Sequence, residues 1–406
     1  MGPARGPTTP LSGDNAMRTT CATLFICLAA GASAIASAEP FVPSDPSLVV
    51  LHVPADPALK RLASLEAALR DDPDNVARIY DLTEAYIAIG RRSGEPRYFG
   101  RAEALLTARL RATSAPVELR LQLADILQYR HEYEHALDQI SIALEQDRGN
   151  TRAHLMRAAI WQASGRFGDA RAECASVLAA GESVTGSVCL AQVMGMTGQI
   201  GRARALLARL SAFSSPSLPP YASWMLTALA DLEERSGDSA GAEGSLRRAV
   251  ALDPDDYYAR FALADLLLAR KRWSEVEPVL RGIPRTESVL MRLAESQAGL
   301  HVGEPNPYLA TLVDRLDAAR ARGERIHARD LARVQLRLLQ NATAALQAAR
   351  ENWAQQREPA DARLLVESGL AARDRSVIAE VIEWRHRTSY QDATLDALLS
   401  HARAAG

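Results

Sequence analysis

Residues 117–142 read VELRLQLADILQYRHEYEHALDQISI and contain the pattern that decides the fold. The apolar spacing predicts two helices, Val117–Tyr129 and Tyr133–Glu145, on either side of a short turn. A small residue lies midway along the first helix (Ala124), and another lies early in the second (Ala136). Small residues at these points allow two helix axes to approach to about 8–10 Å. The stretch therefore predicts a helix hairpin.

The same arrangement recurs along the chain at a nearly constant spacing. The small residue early in the second helix is found at Ala136, Ala170, Ala203, Ala242 and Val276, in steps of 34, 33, 39 and 34 residues. The longest step contains residues 213–220, whose serines and prolines predict a loop. These residues resemble the tetratricopeptide repeat (TPR) family, whose unit is a helix–turn–helix of about 34 residues. The resemblance implies an all-α, right-handed α-solenoid of stacked helix-turn-helix hairpins, each stabilised by its neighbours.

The composition divides the chain into four parts. We predict an N-terminal extension plus signal peptide over residues 1–38 and a proline-rich linker over 39–56. A TPR array is predicted over 57–285 and degenerate TPR-like hairpins over 286–406. In the first hairpin of the array, the second helix is predicted to begin only near Arg101, after a long turn.

The N-terminus has the order of features of a secretory signal peptide. A basic residue (Arg18) precedes an apolar run from Cys21 to Ile35, and a small-x-small cleavage sequence ends at Ala38. The run is shorter than the ~20 residues that a helix needs to span a bilayer, although an uncleaved anchor or a buried helix is the alternative. Since Lys60 and Lys271 are the only lysines, arginine supplies nearly all positive charge, as is typical of a GC-rich bacterial genome. We therefore expect an exported bacterial TPR protein, periplasmic after cleavage near Ala38, with no membrane span in the mature chain.

Two cysteines, Cys174 and Cys189, follow the signal sequence, and both lie in adjacent predicted repeats. The helices that carry them are expected to pack together, so a disulfide is possible in an oxidising compartment. The alternative is that both are small, buried apolar side chains.

One catalytic motif occurs, in an unfavourable context. Residues 131–135 read His-Glu-Tyr-Glu-His and match H-E-x-x-H, in which two histidines on one continuous helix bind zinc. The repeat phase places His131 in the turn and His135 in the next helix, so a zinc-dependent hydrolase is only a remote alternative. No phosphate-binding or nucleophile motif is present in the sequence, and we predict neither an enzyme nor a cofactor nor a small-molecule substrate. The net charge of −2 without a basic block argues against nucleic acid as a partner.

The resemblance implies that first helices of successive repeats line a concave groove. By repeat phase, the groove residues are Tyr80, Glu84, Asp125, Tyr129, Trp224, Asp231, Tyr258, Phe261 and Asp265. Aromatic anchors beside carboxylates suit a partner segment, extended or helical, with basic and apolar side chains. The alternative is that these residues pack between repeats or form ion pairs with neighbouring arginines. Chaperone-binding members of the family clamp a C-terminal carboxylate with lysine and asparagine, a set that is absent here.

These features together favour an exported, non-enzymatic scaffold. We predict that it binds a partner protein in its concave groove during envelope assembly, secretion or complex formation. The alternative from a different class is a structural, self-associating component of a secretion or envelope complex. Because repeat folds serve many unrelated tasks, the fold alone does not select the partner.

Overall fold

The computed structural model describes residues 57–111, 115–212, 221–322 and 327–404. The predicted signal peptide (1–38), the predicted linker (39–56) and the Ser/Pro-rich loop 213–220 lie outside the described residues. The described residues all belong to one compact unit, which contains residues of both the predicted array 57–285 and the predicted degenerate hairpins 286–406.

All regular structure in these described ranges is helical. In chain order the α-helices are α1 (Pro57–Asp71), α2 (Val76–Ser93), α3 (Pro96–Arg109), α4 (Val117–Tyr129), α5 (Tyr133–Gln146), α6 (Thr151–Ala163), α7 (Phe167–Ala179), α8 (Ser183–Met196), α9 (Ile200–Ala212), α10 (Tyr221–Arg235), α11 (Ser239–Leu252), α12 (Tyr257–Ala269), α13 (Val276–Leu280), α14 (Glu287–Leu300), α15 (Pro307–Ala321), α16 (Ala328–Arg337), α17 (Ala342–Gln355), α18 (Pro359–Ala371), α19 (Arg375–Thr388) and α20 (Ala393–Ala404). A short 3₁₀ turn over Trp273–Glu275 precedes α13.

Consecutive helices pair into nine hairpins within the part of the chain that is described, from α2–α3 to α18–α19. The single helices α1 and α20 lie at the two ends of the array. Each even-numbered helix is the first helix of its hairpin, and it packs on the first helix of the next hairpin. The predicted all-α fold and the solenoid of stacked hairpins are confirmed.

Every hairpin turn contains one residue in the left-handed region of backbone space. These residues are Gly94, His131, Gly165, Gly198, Gly237, Lys271, Gly303, Gln340 and Arg373. A left-handed residue ends the first helix and redirects the chain, and glycine adopts this conformation without a steric penalty. The recurrence marks nine turns even where the residue type has changed, which is why the last hairpins are hard to recognise from composition.

The long turn predicted for the first hairpin is wrong. Helix α3 begins at Pro96 and not near Arg101, because proline is well suited to the first turn of a helix. Tyr98 and Phe99 are consequently buried in the core, and the Phe99 ring stacks on Tyr129 with centroids 4.5 Å apart.

The C-terminal third forms the helices that its apolar periodicity predicts, α14 to α20. Trp353 and Trp384 end successive hairpins, and their buried rings meet edge to face with centroids 5.2 Å apart. Cys174 on α7 and Cys189 on α8 are joined by a disulfide, so the structure has the first of the two alternatives for these residues.

The array coils far enough to meet itself. The turn of the second hairpin contacts the residue before α16, where His131 Nε2 and His327 Nδ1 lie 3.0 Å apart. The turn of the third hairpin contacts the residues before α18, where the Arg357 amide donates to the Ala163 carbonyl at 2.7 Å. These partners are 196 and 194 residues apart in sequence, by subtraction. Hairpin turns of the first coil therefore abut the loops that open the hairpins six positions later.

Further contacts extend this line of meeting. A Cβ at Gly94 would lie 3.0 Å from Thr286 Cγ2, and a Cβ at Gly237 would lie 3.6 Å from that of Ala393. We call the boundary between the turns of the first five hairpins and the loops before α14, α16, α18 and α20 the seam. Six hairpins complete one coil of the solenoid, and the second coil stacks on the first.

Candidate binding surface on the inner face

The nine predicted groove residues all lie on first helices, which form the inner face of the coil. Tyr80 and Glu84 lie on α2, Asp125 and Tyr129 on α4, Trp224 and Asp231 on α10, and Tyr258, Phe261 and Asp265 on α12. The structure thus places these residues on four neighbouring or facing walls of one enclosed surface.

The number of hairpins per coil determines how wide that surface is. In a ring of six helices, the centre is as far from each axis as neighbouring axes are from one another, about 8–10 Å. Subtracting the helix half-width of about 5–6 Å leaves a central channel about 5–10 Å wide. The predicted concave groove then corresponds to the wall of this central channel.

Tyr258 lies within this channel. It exposes 71% of its surface to water, more than any other tyrosine among the exposed side chains described. Desolvation by the surrounding walls, followed by the carboxylates of Glu358 and Asp231, nevertheless raises the pKa of its phenol above the ordinary value. Glu358 precedes α18, which stacks on α6, and α6 is opposite α12 in a ring of six. Opposite walls of the channel are thus within electrostatic range of each other.

Asp265 is held between two arginines from the second coil. Its carboxylate lies 2.6 Å from Arg292 Nη2 on α14 and 2.7 Å from Arg333 Nη2 on α16. Burial alone would raise the pKa of Asp265, but the two guanidinium groups outweigh it and hold the pKa at about 2. Arg333 also contacts Glu295, which makes the cluster a network.

The other predicted carboxylates are also engaged within the chain. Asp125 pairs with Arg91 at 2.5 Å, and Asp231 pairs at 2.6 Å with Arg235, whose side chain is only 1% exposed. Glu84 accepts a hydrogen bond from the Gln122 side-chain amide at 3.2 Å. The alternative that the acidic residues pair with arginines therefore describes three of the four.

The predicted aromatic residues fall into two groups. Trp224 packs against the apolar cores, Tyr80 packs on the core between α2 and α4, and Phe261 lies beneath the Arg292 guanidinium at 4.5 Å. Tyr129 and Tyr258 remain exposed toward the channel, at 36% and 71%. Because Phe99 stacks on the Tyr129 ring and His327 meets it edge-on, only Tyr258 of the five offers an open ring to a partner.

A cavity lies where the seam opens onto the channel. Its volume is about 320 Å³, and residues from both coils line it, among them Asp125, Tyr129, His131, Arg329 and Glu358. The Arg329 guanidinium pairs with Glu358 and with Asp361, which is buried at the start of α18.

Sequence reasoning missed the arginines that complete this surface. Arg329, Arg333 and Arg337 occur at every fourth residue, so they share one face of α16. That spacing was visible in the sequence, but its meaning depends on the second coil, which brings α16 over α4.

The H-E-x-x-H motif is divided by a turn, as the repeat phase predicted. His131 has φ 60° and contacts His327, whereas His135 is a 73% exposed side chain on α5 near Glu132. Within the described ranges, no three His, Cys, Asp or Glu side chains are grouped so that they could hold a metal ion. The continuous helix that a zinc protease requires is interrupted here.

None of the described helices combines the length and apolar character needed to cross a bilayer. The fold and the inner face define a class, the helical repeat solenoid with an enclosed interior surface.

The comparisons with known proteins identify the repeat. Residues 235–288, from the fifth hairpin turn to the start of α14, match the tetratricopeptide repeat family. This segment of the helical array is therefore similar to the tetratricopeptide repeat. No curated protein matches it in sequence.

Several solved structures resemble it at low identity. A tetratricopeptide repeat protein from Parabacteroides merdae is 17% identical, with 59% of this chain and 92% of that chain covered and a TM-score of 0.45. The human IFIT1 dimer with m7Gppp-AAAA is 13% identical over 82% of this chain and 86% of that one, with a TM-score of 0.43. Yeast Tom70 is 13% identical over 86% and 85% of the two chains, with a TM-score of 0.39.

Proposed function

We propose that this protein is an exported scaffold, without enzymatic activity, that binds a partner polypeptide on its inner face. The observation that carries the proposal is Tyr258, an aromatic side chain that is 71% exposed inside an enclosed channel and contributes little to packing. Aromatic residues that are free of packing and surrounded by protein are typical anchors of an interface. Repeat solenoids use such extended concave surfaces for binding.

The width of the channel indicates the form of the partner. A helix with its side chains is about 10–12 Å across, which exceeds the estimated opening of about 5–10 Å. An extended segment is narrower and exposes its main-chain groups to the walls. Since Asp125, Asp231 and Asp265 already pair with arginines, affinity rests on Tyr258 more than on attraction of a basic segment.

Photo-crosslinking tests this proposal. A benzophenone amino acid replaces Tyr258, and the protein is irradiated in the intact cell envelope. We expect a discrete cross-linked partner because position 258 faces the channel. The matched control is Leu252, which is 59% exposed at the end of α11, a second helix that does not form the inner face. Equal products from both positions, or none from position 258, would contradict binding in the channel.

Export is the second part of the proposal. The predicted signal peptide motivates it, and the Cys174–Cys189 disulfide supports it because such bonds persist mainly in oxidising compartments. We expect the purified native protein to begin near Glu39 and to contain no free thiol before reduction. A cytoplasmic protein that keeps its N-terminus and two reactive thiols would refute export. In the envelope, the scaffold would serve assembly, secretion or complex formation.

A further inference from the structure

The seam contains a histidine pair that neither the repeat nor the channel requires. His131 occupies the second hairpin turn at φ 60°, where the first, third, fourth and fifth hairpins have glycine. Its Nε2 lies 3.0 Å from Nδ1 of His327, and the two rings meet edge to face with centroids 5.0 Å apart. A titratable residue therefore stands where a glycine would suffice for the turn.

The hydrogen bonds around His131 define its protonation state. The Gln356 side-chain amide nitrogen lies 3.0 Å from His131 Nδ1, and the Tyr133 hydroxyl lies 2.9 Å from the same atom. An amide nitrogen only donates, so Nδ1 accepts and the single ring proton resides on Nε2, directed at His327. Gln356 also donates to the Tyr133 hydroxyl at 2.7 Å. These contacts join the two coils through a neutral imidazole.

Charged and titratable groups from every adjoining element face this pair. They are Arg91 on α2, Asp125 and Tyr129 on α4, Tyr133 on α5, Arg329 and Asp330 on α16, and Glu358 and Asp361 beside α18. Arg329 pairs with both Glu358 and Asp361, so one guanidinium offsets part of the charge of these two carboxylates. A second proton on His131 would lie against His327 and Arg329 and opposite the Gln356 donor.

We propose that the His131–His327 contact is an acid-sensitive latch that holds the two coils together at neutral pH and releases the seam on acidification. Release would uncover the cavity and Tyr129 and widen access to the inner face. This deepens the proposed function by adding control of entry, but the latch is measured at the seam and not through a partner.

The direction of the effect follows from proton linkage. Burial, followed by His327 and Arg329, lowers the pKa of His131 from 6.5 to about 4. The open seam therefore binds a proton more strongly than the closed seam, and closure weakens as pH falls through 6.5 toward 4. With these two values, the open-to-closed ratio rises about 20-fold between neutral pH and pH 5.

Hydrogen exchange tests the latch. Exchange of the segment around Arg357, whose amide donates across the seam to Ala163, is divided by its intrinsic rate at each pH. We expect the normalised rate to rise about 20-fold from pH 7 to pH 5, while α11, which takes no part in the seam contacts described, stays protected. His131→Asn keeps a residue that tolerates the left-handed turn and should abolish the pH dependence. His135→Asn, on the exposed side of the same motif, should leave it unchanged.

If His131→Asn left the seam open at every pH, it would also show no pH dependence. The titration of His131 is therefore measured directly in the wild-type protein. The His131 ring in the wild-type protein, followed by NMR, should titrate near 4 and not near 6.5. Titration near 6.5, a flat exchange profile in the wild type, or a full pH response in His131→Asn would each overturn the latch. Normal pH-dependent opening without any cross-link at position 258 would instead contradict the proposed function alone.

Discussion

Asp265 is an acidic residue of the inner face that forms its ion pairs within the chain. Two arginines from the second coil neutralise it, and Arg333 in turn contacts Glu295. The three first helices α12, α14 and α16 are thereby joined at one carboxylate. An acidic residue selected by repeat phase as a binding group is, in the folded chain, a structural link between hairpins.

Asp265→Asn should therefore weaken the fold. The loss of charge-assisted hydrogen bonds to Arg292 and Arg333 should lower the free energy of unfolding by about 1–3 kcal/mol. We expect a value in the lower half of this range, because a third of the Asp265 side chain is open to water. Urea denaturation measures the free energy of unfolding. Asp317→Asn is the control, since its pair with Arg320 is exposed and its removal should change stability by less than about 0.5 kcal/mol.

The same substitution has a pH signature. The pKa of Asp265 is held at about 2, below its ordinary value of 3.8, so its stabilising contribution is present above 3.8 and is lost as pH falls toward 2. The difference in unfolding free energy between the wild type and Asp265→Asn should shrink over that interval. An equal difference at pH 7 and pH 2 would show that the carboxylate charge is not what stabilises the cluster.

At the level of single residues, repeat phase could predict position but not environment. Tyr258 and Phe261 were both assigned to the inner face, and both lie on α12. Only Tyr258 is open to the channel, because Arg292 from the next hairpin covers Phe261. The covering residue is 31 positions away, so no local pattern contained this information.

Close approach of first helices depends on glycine at particular points. Gly195 on α8 faces α10, where an added Cβ would lie 2.3 Å from Leu232 Cδ2. The Gly195 carbonyl also accepts a hydrogen bond at 2.8 Å from the buried Arg235 side chain. The absence of a side chain at Gly195 sets the distance between the two helices. Its carbonyl gives the buried Arg235 guanidinium a hydrogen-bond acceptor.

Gly195→Ala should destabilise the array by about 1–3 kcal/mol, because overpacking forces α8 and α10 apart. Gly244→Ala is the matched control in α11, where an added Cβ meets nothing within 4 Å. There the gain in helix propensity should stabilise the protein by about 0.5–1 kcal/mol. Thermal unfolding of both variants measures the contrast. Effects of the same sign would indicate that helix propensity, and not close approach, governs both sites.

Helix positions were the most predictable feature of the elements. The apolar periodicity predicted helical hairpins over 286–406, and seven helices, α14 to α20, form there. The start of α3 was missed because Pro96, Tyr98 and Phe99 resemble a loop when read alone. Proline at a helix start is a local signal that was available in the sequence, whereas the burial of Phe99 depends on its packing partner, Tyr129.

At the scale of the whole molecule, the decisive feature is the number of hairpins that complete one coil. Six hairpins per coil enclose the inner face and bring the second coil onto the first at the seam. The sequence predicted an array of hairpins, but its repeat length alone did not determine how many hairpins complete a coil. That number depends on small rotations between neighbouring hairpins. The rotations accumulate along the solenoid and are set by side-chain volumes at each interface.

The number of hairpins per coil also connects binding in the channel with the His131–His327 latch. A wider coil would leave Tyr258 in an open groove and would separate His131 from His327. Both the narrow channel and the latch therefore depend on contact between the fifth hairpin turn and α20, and between the other pairs along the seam.

An engineered disulfide across the seam tests the contact between the two coils most directly. Gly237→Cys combined with Ala393→Cys places two Cβ atoms 3.6 Å apart, within the range of about 3.5–4.5 Å found in disulfides. Lys271 and His131 occupy the equivalent left-handed turn positions, so Cys can occupy position 237 at a cost in backbone strain. Gly244→Cys with Ala393→Cys is the control. Peptide mapping should find a 237–393 disulfide in the first protein and free thiols in the second; free thiols at 237 and 393 under oxidising conditions would contradict the coiled, self-contacting solenoid.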